Sequence, residues 1–256
     1  MENLFDLSGR TAVVTGSGRG LGREFAFALA RSGADVAISD IDPETAKRTS
    51  AELSAITGRR SLSITANVCD PEQVNRFASE IVAKWGHIDI LVNNAGINIR
   101  KPITELPPED FDAVYNVNVK GVFLCSRRFS VEMIKQGYGK IINIASIAAL
   151  SIFHGMKMSP YYVTKAAVVQ FTKAAAVEWA ENGIRVNAIS PGWFITDINR
   201  HLWKDPEFGR RKLEHTPMNR VGEPKDLLGT LIYLASGASD FVTGHNIPVD
   251  GGYTLM

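Results

Sequence analysis

Tyr161 and Lys165 stand four residues apart in the stretch Y-Y-V-T-K. On a helix that spacing puts a phenol and an ammonium on one face. A free phenol, with a pKa of about 10, is a poor base at neutral pH. A cation beside it favours the phenolate and fits it for proton transfer. Tyr162 is out of phase, because the residue four beyond it is Ala166. A second constellation runs T-A-V-V-T-G-S-G-R-G-L-G from Thr11 to Gly22. A β-branched apolar run is followed by glycines at 16, 18, 20 and 22, then by Phe25, Ala26, Leu29 and Ala30 at helical spacing. Strand, glycine turn and helix together set a helix N-terminus against a phosphate. Gly16 permits the tight turn, Gly20 lets the backbone approach a pyrophosphate, and Gly22 lets the helix lie close on the sheet.

These groups need a scaffold, and the chain supplies an alternating one. Short apolar runs occur at 11–14, 35–39, 61–66, 88–92, 140–144, 185–189 and 246–249, with helical patterns in most of the gaps. Alternation of this kind predicts parallel strands joined by right-handed crossovers. The expected fold is α/β, a doubly wound seven-stranded parallel sheet with helices on both faces, as one domain over 1–256. Such sheets bind ligands beyond the carboxyl ends of their strands. Asp40 ends the second run, eighteen residues after Gly22, where an acid can accept hydrogen bonds from a ribose. A turn or cap role is the alternative, and for Asp42 the cap of a helix opening at Pro43 is the stronger reading.

Further motifs sit at later strand ends. Leu91 to Gly96 reads L-V-N-N-A-G, Asn118 opens N-V-K-G, and Ser146 closes K-I-I-N-I-A-S. The sixth run ends in Ser190-Pro191-Gly192, with Thr196 four residues on. Strict G-x-G-x-x-G is absent from the first turn, which reads T-G-x-x-x-G-x-G. With N-N-A-G, N-x-x-G, the strand-end serine, Y-x-x-x-K and P-G-x-x-x-T in this order, the chain resembles the short-chain dehydrogenase/reductase family, a branch of Rossmann-like enzymes, over nearly its whole length.

The resemblance implies an alcohol–ketone oxidoreductase using a nicotinamide dinucleotide. It implies that Tyr161 is the general acid/base, that Ser146 hydrogen-bonds the reacting oxygen, that Lys165 also binds the nicotinamide ribose, and that Asn118 bends its helix and completes a water relay. Gly16, Arg19, Gly20, Leu21 and Gly22 then face the pyrophosphate side, and Asn94, Ala95 and Gly96 let the chain pass close to the cofactor. Asn67 is expected at the adenine, or in an Asx turn, with Val68 packing the ring. Pro191, Gly192, Phe194 and Thr196 are expected to hold the carboxamide. Asp40 would repel a 2′-phosphate and favours NAD over NADP; Arg19, before Gly20, speaks for NADP or for a surface ion pair.

Ser146 lies fifteen residues before Tyr161, two more than is usual in the family. A longer loop within 151–160 is expected, with His154 and Met156 near the mouth. Arg100 is a candidate for an anionic substrate group, against a solvated surface role, and Trp193 for substrate packing. The aromatic stretch 192–222, with Trp193, Phe194, His201, Trp203 and Phe208, reads as a substrate lid or as core or interface anchors.

Composition narrows the partners. Lys plus Arg is 28 and Asp plus Glu is 27, which gives no general field for nucleic acid or an anionic membrane. No run approaches the ~18 apolar residues of a membrane span, and the first ten residues do not form a signal peptide. Two cysteines, Cys69 and Cys125, do not indicate a disulfide framework, and no histidine pairs with a His or Cys at metal-ligand spacing. A cytoplasmic protein acting on a small molecule without a metal is expected, and the family implies a homotetramer. N-L-F-D-L-S-G-R, N-N-A-G-I-N-I-R-K-P and R-V-G-E-P-K-D-L-L-G look similar to gluconate 5-dehydrogenases and deoxygluconate dehydrogenases, implying a sugar acid or polyol. The alternatives are an NADPH-dependent 3-oxoacyl carrier-protein reductase and a dinucleotide sensor without turnover.

Overall fold

The first apolar run becomes β1 (Thr11–Thr15), a strand buried throughout. It feeds α1 (Gly20–Arg31), whose Phe25 and Leu29 are fully buried. β2 (Asp35–Asp40), α2 (Pro43–Thr57), β3 (Ser61–Thr65) and α3 (Pro71–Trp85) continue the alternation. Asp42 accepts hydrogen bonds from the Glu44 and Thr45 amides and so caps α2. Asp70 does the same for α3 through Glu72 and Gln73. The computed structural model describes residues 3–196 and 200–256.

β4 (Ile90–Asn93) leads through an irregular segment to α4 (Pro108–Tyr115), a π-helical turn at Asn116–Lys120, and α5 (Gly121–Gln136). β5 (Gly139–Ile144), α6 (Ser159–Trp179) and β6 (Ile184–Pro191) follow. α7 (Pro206–Glu214), α8 (Lys225–Ala235) and β7 (Asn246–Val249) complete the order.

The strands form one seven-stranded sheet in the order β3-β2-β1-β4-β5-β6-β7, and every pairing is parallel. This is the doubly wound sheet expected from the sequence. Neighbouring residues on each strand bury into different cores, as the pleat requires. Val14, Ile38 and Val92 meet α1, α2 and α8, with Phe25, Leu53 and Leu231. Val13, Ala37 and Leu91 meet α3, α5 and α6, with Phe77, Phe129 and Ala176. Chain order reverses between β1 and β4, so the crevice of the sheet opens beyond their carboxyl ends. Among the described residues, no helix is long and apolar enough to cross a membrane.

A chain of amides crosses the sheet centre. Asn93 Nδ2 donates to Ser126 Oγ at 2.9 Å and to Asn143 Oδ1 at 2.8 Å. Asn143 Nδ2 donates in turn to Thr172 Oγ1 at 2.9 Å. All four residues are buried, and the network satisfies the polar groups inside the core except Asn93 Oδ1, which has no partner. The network ties β4 and β5 to α5 and α6, the elements around the reactive groups.

Candidate active site

A cleft of about 410 Å³ opens where the carboxyl ends of β1, β4 and β5 meet. The glycine turn forms one wall. Gly16 has φ +61°, and a Cβ there would come within 2.9 Å of Ala95 Cα. A Cβ on Gly22 would run into the Gly16 carbonyl oxygen. Gly20 differs: at φ +58° its Cβ would meet no protein atom within 4 Å. Glycine at 20 therefore leaves open space beside the N-terminus of α1. No side chain caps that helix, in contrast to α2 and α3, and its first turn holds no acid. Backbone N–H groups and open space together fit a dinucleotide pyrophosphate.

The adjoining loops are pinned. Asn94 Nδ2 donates to the carbonyls of Thr15 and Gly16, both at 2.9 Å, tying β4 to β1. Asp40 Oδ2 accepts the Gly18 amide at 2.9 Å, and Oδ1 accepts the Asp42 amide at 3.2 Å. Its carboxylate thus shapes the turn and also lines the cleft. Gly18 had no role in the sequence reading; a Cβ there would press on Asp40 and Thr45. Asn67 Oδ1 accepts the Cys69 amide at 3.0 Å, an Asx turn, while Asn67 and Val68 also line the cleft. The Asx turn is present, and both side chains stand where an adenine contact was expected.

Tyr161 and Lys165 share a face of α6, and the Lys165 Nζ lies 5.5 Å from the Tyr161 ring centroid. Lys165 is buried and its Nζ donates to the Ile144 carbonyl at 2.7 Å. Burial pulls its pKa down to about 8. Burial pushes the Tyr161 phenol above its ordinary value, against the lowering effects of the Ser146 hydroxyl and the Arg100 charge. In the protein alone desolvation outweighs attraction, and the opposing charge comes from Arg100. Ser146 Oγ also accepts the Ala148 amide at 3.1 Å, which fixes the serine at the strand end.

Asn118 lies inside the π-helical turn, behind the cleft wall rather than on it. Its Oδ1 accepts the Ile97 amide at 2.9 Å; its Nδ2 donates to the Ile97 carbonyl at 3.0 Å and to Thr164 Oγ1 at 3.1 Å. Both amide hydrogens are committed, so a water can reach this side chain only through Oδ1. Gly96 keeps the approach open: a Cβ there would stand 3.3 Å from Asn118 Oδ1 and 3.6 Å from Lys165 Nζ.

The substrate side departs from the sequence reading. His154 is exposed and Met156 half-buried, and neither lines the cleft; Phe153 and Met158 do. The cause is Tyr162, whose hydroxyl accepts the Phe153 amide at 2.8 Å and turns that ring inward. Phe153 packs edge-on or tilted against Tyr162, Trp193 and Tyr253. Trp193 continues to Trp203 and Phe208, and Lys212 lies 4.9 Å from the Trp193 ring centroid. Trp193, Trp203 and Phe208 are thus anchored together, with Trp193 lining the cleft. The lid expected at 192–222 includes 197–199, which lie outside the described residues.

Arg100 and Trp193 line the cleft, as do Pro191, Gly192, Phe194, Thr196, Arg19 and Leu21. Arg100 Nη1 lies 3.3 Å from His201 Nε2, and its buried Nε has no partner. No carboxylate pairs with it among the described residues. Asn98, beside it in the cleft, likewise has a buried Oδ1 without a partner. Sequence reasoning missed Phe153 and Met158, and it placed Asn98 just past the cofactor strand without giving it a role. The only signal for Phe153 and Met158 was the extra loop length, which does not say which side chains turn inward.

A family model described as enoyl-(acyl carrier protein) reductase matches residues 16–254. The 2-dehydro-3-deoxy-D-gluconate 5-dehydrogenase of Dickeya dadantii (strain 3937) is 42% identical over 253 residues, covering 98% of each chain. The gluconate 5-dehydrogenase of Gluconobacter oxydans (strain 621H) is 37% identical, over 99% of this chain and 98% of that one. A gluconate 5-dehydrogenase from Burkholderia cenocepacia J2315, solved with NADP and tartrate, superposes with a TM-score of 0.95. It is 40% identical and covers 99% of this chain and 98% of its own.

Proposed function

The chain belongs to the short-chain dehydrogenase/reductase family, and on that premise we propose that it interconverts a secondary alcohol and a ketone on a sugar acid related to gluconate. It is an NAD(P)-dependent oxidoreductase acting on CH–OH groups. One observation carries the sugar-acid reading: Arg100, half-buried in the cleft, has a partnerless Nε and, among the described residues, no carboxylate beside it. An unpaired cation in such a place is costly unless a ligand anion answers it. The relatives' names supply the chemical class.

When bound, the dinucleotide supplies hydride acceptance or donation at its nicotinamide. The protein's part is proton handling and orientation. Ser146 holds the substrate oxygen and Tyr161 takes or gives its proton. Lys165, a 2.7 Å donor to Ile144, stands beside the phenol and carries the ribose contact. Asn118 Oδ1 and the gap left by Gly96 form the path by which a proton exchanges with water.

Asp40, locked by the Gly18 amide, supports NAD as the preferred cofactor, since a 2′-phosphate would face a fixed carboxylate. The NADP bound to the Burkholderia relative supports a site that also accepts the phosphorylated form. The segment 192–222 serves as the substrate lid of a single domain. Free cysteines, Cys69 and Cys125, support a reducing, cytoplasmic setting. Phe123, Val131 and Ile134 at helical spacing on α5, and Phe241 beside β7, support a homotetramer.

Arg100→Ala tests the substrate class. It is expected to raise KM for D-gluconate by about tenfold or more, as for a lost charge-assisted hydrogen bond. KM for D-sorbitol, which replaces the carboxylate by a neutral carbinol, should hardly move. Equal change for both, or no change for either, would refute the sugar-acid reading.

A further inference from the structure

Arg100 reaches the cleft from the segment after β4, and His201 comes from the turn Arg200–Lys204, 101 residues later in the chain. Their 3.3 Å contact fixes who donates. A guanidinium carries N–H donors only, so His201 Nε2 must accept. In this contact Nε2 therefore carries no hydrogen.

That arrangement is poorly matched to two side chains alone and well matched to three groups. His201 shares its turn with two further basic residues, Arg200 and Lys204, and no carboxylate pairs with either Arg100 or His201 among the described residues. Arg100 Nε is buried with no acceptor. A carboxylate brings two oxygens that only accept, enough to engage both a guanidinium edge and a neighbouring N–H. For His201 to face it, Nε2 must change from acceptor to donor. The ring hydrogen passes from Nδ1 to Nε2 by exchange through water, and the incoming anion makes the new N–H favourable by accepting from it.

We propose that Arg100 and His201 together form the receptor for the substrate's carboxylate, His201 exchanging its acceptor role toward Arg100 for an N–H donated to the anion. The two residues approach from different segments, so the pair can discriminate an acid from a neutral polyol of the same length. The proposal rests on the sugar-acid reading above and adds to it a second, histidine contact.

His201→Leu and His201→Gln test it, with kinetics on D-gluconate and D-sorbitol and with calorimetry of tartrate binding to the enzyme in the presence of NADP. His201→Leu is expected to raise KM for D-gluconate and Kd for tartrate by about tenfold, leaving kcat and the D-sorbitol KM within about twofold. The amide of His201→Gln can accept from Arg100 and donate to a carboxylate, so that variant should stay within about threefold of the unaltered enzyme. An equal loss on D-gluconate and D-sorbitol would mean a merely structural histidine and overturn the proposal. So would no loss in either, or a Gln variant as impaired as the Leu variant. If D-gluconate is turned over and His201→Leu changes nothing, this proposal alone falls. If no sugar acid is turned over yet tartrate binding still depends on His201, the carboxylate receptor stands and the substrate reading falls.

Discussion

At the scale of single residues, the site is set by desolvation competing with charge. Lys165 has no carboxylate partner among the described residues, and burial holds its pKa at about 8 against an ordinary value of about 10.4. The folded protein below pH 8 therefore carries a buried ammonium that the unfolded chain keeps in water. Between pH 8 and the unfolded value the unfolded state binds more protons, so stability rises with pH across that window. Lys165→Met should accordingly be more stable than the unaltered protein at pH 7, by about 1–3 kcal/mol after the lost Ile144 hydrogen bond is counted. The gap should narrow toward pH 10, and turnover should be lost throughout. Thermal unfolding of both proteins at pH 7 and pH 10, without cofactor, checks this. A variant less stable at pH 7, or a gap that widens with pH, would contradict the assignment.

At the scale of elements, the inserted loop before α6 is held by one hydroxyl. Tyr162 accepts the Phe153 amide and thereby points Phe153 into the cleft. Tyr162→Phe leaves a buried N–H without a partner, at a cost of about 1–3 kcal/mol. Phe153 should then leave its place among Trp193 and Tyr253 for part of the time. The expected readout is a raised substrate KM with cofactor Kd unchanged, because no cofactor-side residue depends on this loop. Steady-state kinetics and fluorescence titration with NADH separate the two; an equal loss of both affinities would show that the loop supports the whole cleft. That the helix after β5 carries the reactive pair was legible in the sequence, since i, i+4 spacing is local. The orientation of the loop was not, because an irregular segment has no period to sort inward from outward side chains.

At the scale of the molecule, one chain leaves apolar surface uncovered. Phe241 is fully exposed, Val177 is 82% exposed, and β7 pairs on one side only. An open strand edge and an exposed aromatic each invite a second chain. The proposed tetramer of 28.0 kDa subunits predicts four copies by light scattering at micromolar concentration. Phe241→Asp should reduce that mass to two copies, by burying a charge at one interface while leaving the α5 face intact. A monomer in the unaltered protein, or an unchanged mass in the variant, would count against this assembly.

The sequence alone determined the sheet, the glycine turn, the reactive pair and the dinucleotide chemistry. Each depends on the types of residues a few positions apart, and short-range spacing survives whatever packs later. Tertiary structure decided the rest. It placed Phe153 and Met158 in the cleft in place of His154 and Met156, gave the Tyr161 phenol an upward shift, and brought His201 to Arg100. Those outcomes depend on which distant segments exclude water from a group and which charges they bring near it, and neither quantity is defined until the chain has closed around the site.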